Sequence, residues 1–291
     1  MAYSTEIPWG DGTSDKIYFS AAASEGDQTV AVSSDANAGA ERSKTVNFTA
    51  DGVSPQPLAI VQLGAGGTDF DAWVKNGDTH LWIDIVSEYQ KEQQIRIRMI
   101  GTIDWGDGSA KDNANVTTYT TFTHTYSELG KYRIDLHPTS GTFYLGGASS
   151  NYNVMGSRNF QDIYRNVVLY QVEIGTEIIN TLSNYSIYYL LGLRRVYVPK
   201  TITSLGYYCF STCYALTEVE FEDSSKVTTD TVTAVFHNCY SLQNIHSFAS
   251  ASTTYSAMFQ NNYAIMEIII PAPVTSIAAN TFNSCYGLKT S

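Results

Sequence analysis

The sequence predicts a mainly β protein in three parts, two small antiparallel sandwiches followed by a short solenoid of repeats. Three observations predict it. Residues 7 to 64 alternate apolar and polar side chains in short runs between turn clusters. Residues 69 to 140 hold a second set of such runs. From about residue 169 onward one apolar pattern keeps returning after twenty-odd residues.

Composition bounds what such a chain can do. With 43% hydrophobic and 15% charged residues over 291 positions, it has enough apolar side chain to bury a core and resist disorder. Its net charge of −11, from 28 acids against 17 bases, argues against a sequence-independent nucleic-acid binder, which needs a basic patch to release counterions. Tyrosine is abundant, at 21, which suits aromatic surfaces that meet neutral polar partners. The longest apolar run, AIMEIIIPAPV, is far too short to span a bilayer, so no membrane insertion is expected. The opening MAYSTEIPWGDGTSDK shows neither the basic nor the apolar segment of a signal peptide.

In the first part the runs KIYFSA, QTVAVSS, KTVNFTA and PLAIVQL read as strands of a small sandwich. Gly26 and Gly39 serve the turns between them, and GAGGT at 64 to 68 reads as a flexible boundary. This part is taken as residues 1–64. Its turn Asn37-x-Gly39-x-x-Arg42 and closing Val61-Gln62-Leu63-Gly64 resemble the BACON domain, an immunoglobulin-like module of gut Bacteroidetes and their phages. The stretch Trp9-Gly10-Asp11-Gly12 departs from many members of that family. The resemblance implies carbohydrate or mucin binding without pointing to a residue.

The second part, residues 69–141, carries HLWIDIV and QQIRIRMI as strands, then Trp105-Gly106-Asp107-Gly108 and the run His124-Thr125-Tyr126 leading to Gly130-x-Tyr132. That pair of motifs resembles the PKD domain, another immunoglobulin-like sandwich. The resemblance implies a turn at Asp107-Gly108 and places His124, Tyr126 and Tyr132 in strands around the core. DWGDGSAKDN lacks the alternating oxygen ligands and distal glutamate of a calcium loop, so Asp104 and Asp107 read as turn residues rather than metal ligands.

The third part, residues 142–291, shows the repeat. Strands of the form L-x-x-V-x-V begin at Leu169, Leu193, Leu216, Leu242 and Ile265, with separations of 24, 23, 26 and 23, and Leu288 falls 23 later. This period marks a leucine-rich-repeat solenoid, in which stacked units bury one continuous core. About five apolar positions per unit, each giving about 1.5–3 kcal/mol on burial, drive it. Between strands the skeleton F-x-x-C-Y returns: Phe210/Cys213/Tyr214, Phe236/Cys239/Tyr240, Phe259/Asn262/Tyr263 and Phe282/Cys285/Tyr286. Its Phe and Cys belong to the core, and its three cysteines, with Cys209, read as reduced buried residues. Two units depart, with Leu190 and Asn262 at the Cys position, and residues 222 to 235 carry a three-residue insertion. VTSIAANTFNSCYGL and ITSLGYYCFSTCYAL resemble BspA-like leucine-rich repeats of bacterial surface proteins, phages and some protists. The likeness implies adhesion or protein recognition.

Chemistry is hard to find. No phosphate loop, nucleophile elbow or zinc helix occurs, and no cofactor or metal is expected. His237 lies two residues from Cys239, but a Cys–His dyad has no counterpart at the equivalent Cys213 and Cys285. Zinc at Cys209 and Cys213 lacks a second ligand pair. The candidate binding residues are Tyr214, Tyr240, Tyr263 and Tyr286, which a solenoid would align in a column. The column is expected either as a stacking ladder or as a stripe that binds sugar or protein.

These readings lead to a non-enzymatic virion structural or adhesion protein of a phage infecting gut Bacteroidetes, a capsid decoration, head fibre or tail-associated protein. The alternative is an exported bacterial cell-surface adhesin or glycan-binding lipoprotein. Expected partners are other virion proteins or copies of the chain itself, with a glycan, mucin or host-surface ligand possible and no nucleic acid. The strand around Glu267 to Pro271 is expected to be the last complete one, and its outer side a contact surface.

Overall fold

The computed structural model describes residues 2–8, 16–22, 31–34, 42–50, 53–62, 71–147, 149–157, 163–177, 180–225, 227–229, 234–246, 254–270 and 272–289. The protein is mainly β, and the helical content of these residues is one six-residue α-helix and one 3-10 turn at Glu88–Gln90. The chain falls into two compact units, Met1–Ala72 and Trp73–Ser291.

In the first unit the alternating runs become β1 (Ala2–Pro8), β2 (Lys16–Ala22), β3 (Ala31–Ser34), β4 (Arg42–Ala50) and β5 (Val53–Gln62). They form two antiparallel sheets, β1-β2-β3 and β4-β5. β1 and β2 pair without slippage from Ala2↔Ala22 to Pro8↔Lys16, and β4 and β5 slip once, between Phe48 and Ala50. The tetrapeptide Trp9 to Gly12, the turns at Gly26, Asn37 and Gly39, and the stretch 64–68 lie outside the described residues.

The second unit opens with β6 (Thr79–Ile85), β7 (Glu92–Asp104), β8 (Asp112–Asn115), β9 (Thr120–Thr125) and β10 (Gly130–Leu145). From Gln93 to Ile100 buried and half-buried residues alternate along β7, with Ile95, Ile97 and Met99 inward, and this fixes its register. β10 lies between β6 and β7, and β7 pairs with β9 through its first half and with β8 through its second. These strands do not close off a separate body at 141. The boundary expected between 141 and 142 falls inside β10, and β6 continues into the repeat sheet. The Trp105–Gly108 stretch makes the expected turn. Asp104 Oδ1 accepts the Gly106 amide and Asp107 Oδ1 the Ser109 amide. Gly106 has a φ of +80°, and a Cβ there would lie 2.3 Å from the Arg133 carbonyl oxygen, so only glycine fits. His124 stacks on Trp105, and the buried Tyr126 donates to the Trp105 carbonyl.

A small hairpin, β11 (Tyr152–Asn153) with β12 (Gly156–Ser157), and the helix α1 (Ile163–Val168) lead into the repeats. Their strands are β13 (Leu169–Glu173), β14 (Thr181–Leu182), β15 (Arg195–Val198), β16 (Ser204–Leu205), β17 (Glu218–Phe221), β18 (Thr228–Thr229), β19 (Asn244–His246), β20 (Thr254–Tyr255) and β21 (Ser276–Ile277). β13, β15, β17 and β19 pair in parallel as one sheet, and β14, β16 and β18 form a second. The predicted inward positions are buried: Leu169, Val172 and Ile174, then Leu193, Val196 and Val198, then Leu216, Val219 and Phe221. Phe210, Phe236, Phe259 and Phe282 stack through the core at 5.4, 5.8 and 5.8 Å, nearly parallel.

An open solenoid end exposes apolar side chains and unpaired strand groups. The upstream edge is covered by β6, which pairs antiparallel with β13 through Leu169↔Ile83 and Val172↔Leu81. The downstream edge differs from expectation. Residues 267–270 form no strand, Pro271 lies outside the described residues, and the sheet order ends at β19. The inward pattern persists there, since Ile265 is buried and Ile268 packs on the core. Among the described residues no ladder flanks it. A repeat-type bond across this edge runs from the Lys289 amide to the Met266 carbonyl, at 3.4 Å.

Candidate interaction surface

Each column tyrosine sits at the second position of a tight turn, shown where the Leu216, Leu242 and Leu288 amides reach back to the carbonyls of Cys213, Cys239 and Cys285. The residue before it points inward. Cys213, Cys239 and Cys285 donate their thiols to the carbonyls of Ile187, Phe210 and Phe259. The four cysteines are free and buried. Burial pushes their thiols up, that of Cys213 to about 12, which leaves no ready thiolate. Cys239 and His237 do not form a dyad, because the thiol goes to Phe210 while His237 Nδ1 lies 3.5 Å from Ser211 Oγ.

With their backbone in register, the four tyrosines stack. Tyr214–Tyr240, Tyr240–Tyr263 and Tyr263–Tyr286 have ring centroids 4.5, 4.8 and 5.6 Å apart and interplanar angles of 5°, 11° and 17°. Tyr240 is half-buried, Tyr214 and Tyr263 are 36% and 42% exposed, and Tyr286 is 80% exposed. Stacking decides what the column offers. The ring faces cover one another, so solvent meets ring edges and phenol groups rather than flat platforms. A sugar ring cannot lie on an inner face of this ladder; the outer face of Tyr286 is the exception.

A second aromatic group lies in the earlier repeats and was not singled out from the sequence. Tyr185 stacks on Tyr208 at 5.6 Å and 3°, and Tyr207 and Tyr188 pack against Tyr185 at 5.0 and 5.1 Å. Burial first, then a hydrogen bond with Tyr207, pushes the Tyr185 phenol up to about 12. The Tyr214 phenol is pushed up by burial, then by Tyr240, and further by Tyr189 and Tyr188. The signal for this group lay in the repeat frame. Tyr185, Tyr208, Ala234, Ala257 and Asn280 hold one left-handed position, each followed four residues later by a second such residue. NYSIYY and GYYCF load that turn with tyrosine in the first two repeats.

The repeat geometry agrees with a family comparison, in which residues 159–290 match the BspA type leucine rich repeat region in six copies. Two solved structures are similar at the level of the fold. One is a leucine rich cell surface protein from Faecalibacterium prausnitzii A2-165, with 22% identity over 52% of this chain and 37% of that one and a TM-score of 0.38. The other is a leucine rich repeat protein of T. pallidum, with 17% identity over 52% of this chain and 68% of that one, also at a TM-score of 0.38. This chain thus spans little more than a third of the first. None of the curated proteins matches the sequence.

Proposed function

We propose that this protein is a non-enzymatic recognition and adhesion protein whose BspA type repeats present the tyrosine surface to a macromolecular partner. The observation that carries this reading is the run of stacked tyrosines along the repeats, open to solvent at their edges and most of all at Tyr286. Phenol groups combine apolar edge with a donor and acceptor, which suits a neutral polar polymer such as a glycan or glycoprotein. A net charge of −11 disfavours acidic partners and leaves neutral or basic ones. Buried, unionised thiols support a role without a chemical step. The same display serves a phage virion protein and an exported cell-surface protein, since each holds such a face outward. Among the described residues no helix is long and apolar enough to cross a membrane.

The test separates a ladder that only stabilises from one that also binds. The triple variant Tyr214→Phe, Tyr240→Phe, Tyr263→Phe keeps the stacking and removes the hydroxyl row. Binding of the intact and variant proteins to immobilised mucin and to extracted bacterial surface polysaccharide is measured beside thermal unfolding. An unchanged melting temperature with binding reduced by about tenfold or more, which is about 1.4 kcal/mol, supports the reading. Failure of the intact protein to bind, or equal binding by both proteins, rejects this surface as the site.

A further inference from the structure

Residues 73–78 cross the outward side of the repeat sheet and are held there as a peptide ligand would be. Glu173, Tyr197 and Glu220 stand in register across β13, β15 and β17 and point away from the inward Val172, Val196 and Val219. The Glu173 carboxylate, buried beneath the strap, accepts the backbone amides of Val74 and Lys75, each at 2.6 Å. The Trp73 indole rests on Tyr197 with centroids 5.8 Å apart, meets Trp82 edge-on at 6.1 Å and lies under the Arg195 guanidinium at 4.7 Å. Its Nε1 donates to Glu220 at 2.9 Å. Lys75 Nζ reaches the same carboxylate at 3.3 Å and lies 4.2 Å over the Tyr197 ring. Glu218 and Gln171 hold Arg195 in place. One carboxylate therefore reads an indole and a cation two residues apart, while another reads the backbone between them.

The strap is poorly suited to permanent attachment. Lys75 adopts left-handed backbone at a φ of +50°, which costs energy for a side chain with a Cβ. Its ion pair with Glu220 is 48% and 33% exposed, and pairs so exposed hold little. Ordering the segment costs chain entropy. Nor does the strap fill the site: a cavity of about 210 Å³ remains between Lys75, Gly77 and the strand ends at Ile174 and Pro199, with Lys200 and Glu222 on its far wall. Downstream the segment is tied to β6 and β10 through Asn76 to His80 at 2.9 Å and Asp78 to His137 at 2.6 Å, which places the pivot at 76–78.

We propose that this face of the sheet is a peptide-binding site, filled in cis by Trp73–Lys75, and that it accepts in trans a polypeptide with an aromatic residue followed two positions later by a cation. The site is separate from the tyrosine column and does not depend on it.

The probe is the acetylated, amidated and fluorescently labelled peptide of residues 71–78. Its anisotropy is titrated against the intact protein and against the emptied variant Trp73→Ala, Lys75→Ala. Saturable binding to the emptied variant is expected. It should be weaker by at least about tenfold for a peptide with alanine at the indole position, and equally so for the emptied variant carrying Glu220→Gln. The intact protein should also bind at least about tenfold more weakly, because a tethered occupant competes at an effective concentration on the order of millimolar. Equal binding of both peptides, or none, by a folded emptied variant overturns the proposal. If that variant does not fold, amide exchange in the intact protein decides. Val74 and Lys75 amides exchanging at least about a hundredfold faster than those of β6 support a releasable strap, and slower relative exchange overturns it.

Discussion

The side-chain amide of Asn262 donates to the carbonyl oxygen of Phe236 at 2.8 Å, the bond that the Cys285 thiol makes to the carbonyl of Phe259 at 2.9 Å. The residue that departs from the F-x-x-C skeleton therefore does the work of the cysteine, tying its repeat to the turn of the one before. It does so imperfectly. Asn262 is fully buried, and its Oδ1 has no hydrogen-bond partner among the described residues. A buried acceptor without a partner costs about 1–3 kcal/mol. Asn262→Cys keeps a donor for Phe236 and removes that acceptor, so it should stabilise by about 1 kcal/mol, or raise Tm by about 2–4 °C. Asn262→Leu, which copies the residue type at 190, removes the donor as well and should melt below Asn262→Cys. Urea and thermal unfolding check both.

The tyrosine column predicts a graded series. Tyr263 is stacked on both sides, Tyr286 on one and largely exposed. With each stacked pair worth about 0.5–1.5 kcal/mol, Tyr263→Ala should cost about 1–3 kcal/mol and Tyr286→Ala about 0.5–1.5. Tyr263→Phe should be nearly neutral, since the ring remains. If Tyr263→Ala and Tyr286→Ala cost the same in urea unfolding, the ladder does not stabilise the repeats.

The repeats and the tyrosine column were legible because a solenoid imposes one demand on every unit. Each must bring the same few inward side chains to the same place, so Leu193, Val196 and Val198 repeat in sequence as they do in space, and Tyr214 follows Cys213 wherever Cys213 recurs. The strap was not legible. Trp73 finds Glu220 across 147 residues, and no local period links an indole in a connecting segment to a carboxylate on the third repeat strand. The covering of β13 by β6 is hidden for the same reason, because β6 alternates like any strand and its second neighbour lies far along the chain. The strand expected over Glu267 to Pro271 fails for the opposite reason. Its inward pattern is intact at Ile265 and Ile268, but apolar spacing says which side chains face the core and not whether a ladder flanks the backbone.

The turn at Asp107 sets an acid limb for the second unit. Burial pushes the Asp107 carboxyl up, but hydrogen bonds from Ser109 and His124 outweigh it and bring it down to about 2, from an ordinary value of 3.8. A carboxyl whose folded pKa is depressed stabilises the fold fully above its unfolded value, and that stabilisation is lost as pH falls toward the folded one. Stability should therefore decline between about pH 4 and pH 2 through this group. Asp107→Asn should lower Tm at neutral pH and flatten that decline. A variant whose melting falls as steeply as the parent's over this window would assign the acid limb to other carboxyls.

The two edges of the repeat sheet should differ in local stability. β15 and β17 are paired on both sides, and β13 is closed by β6. Residues 266–270 have no strand ladder among the described residues, and their apolar side chains are open, with Met266 at 54% and Ile269 at 77% exposure. Backbone amides open with free energies that scale with the packing and pairing around them. Exchange should therefore be slowest at Val172, Val196 and Val219, intermediate in β19, and fastest at 266–270, while the stacked Phe259 and Phe282 keep the following turn more protected than the 266–270 segment. A partner that docks on this edge would pair its backbone and slow 266–270 selectively, without altering β13. Exchange at 266–270 as slow as at Val219 in the isolated protein would show that the edge is already closed, and the exposed isoleucines would then need another explanation.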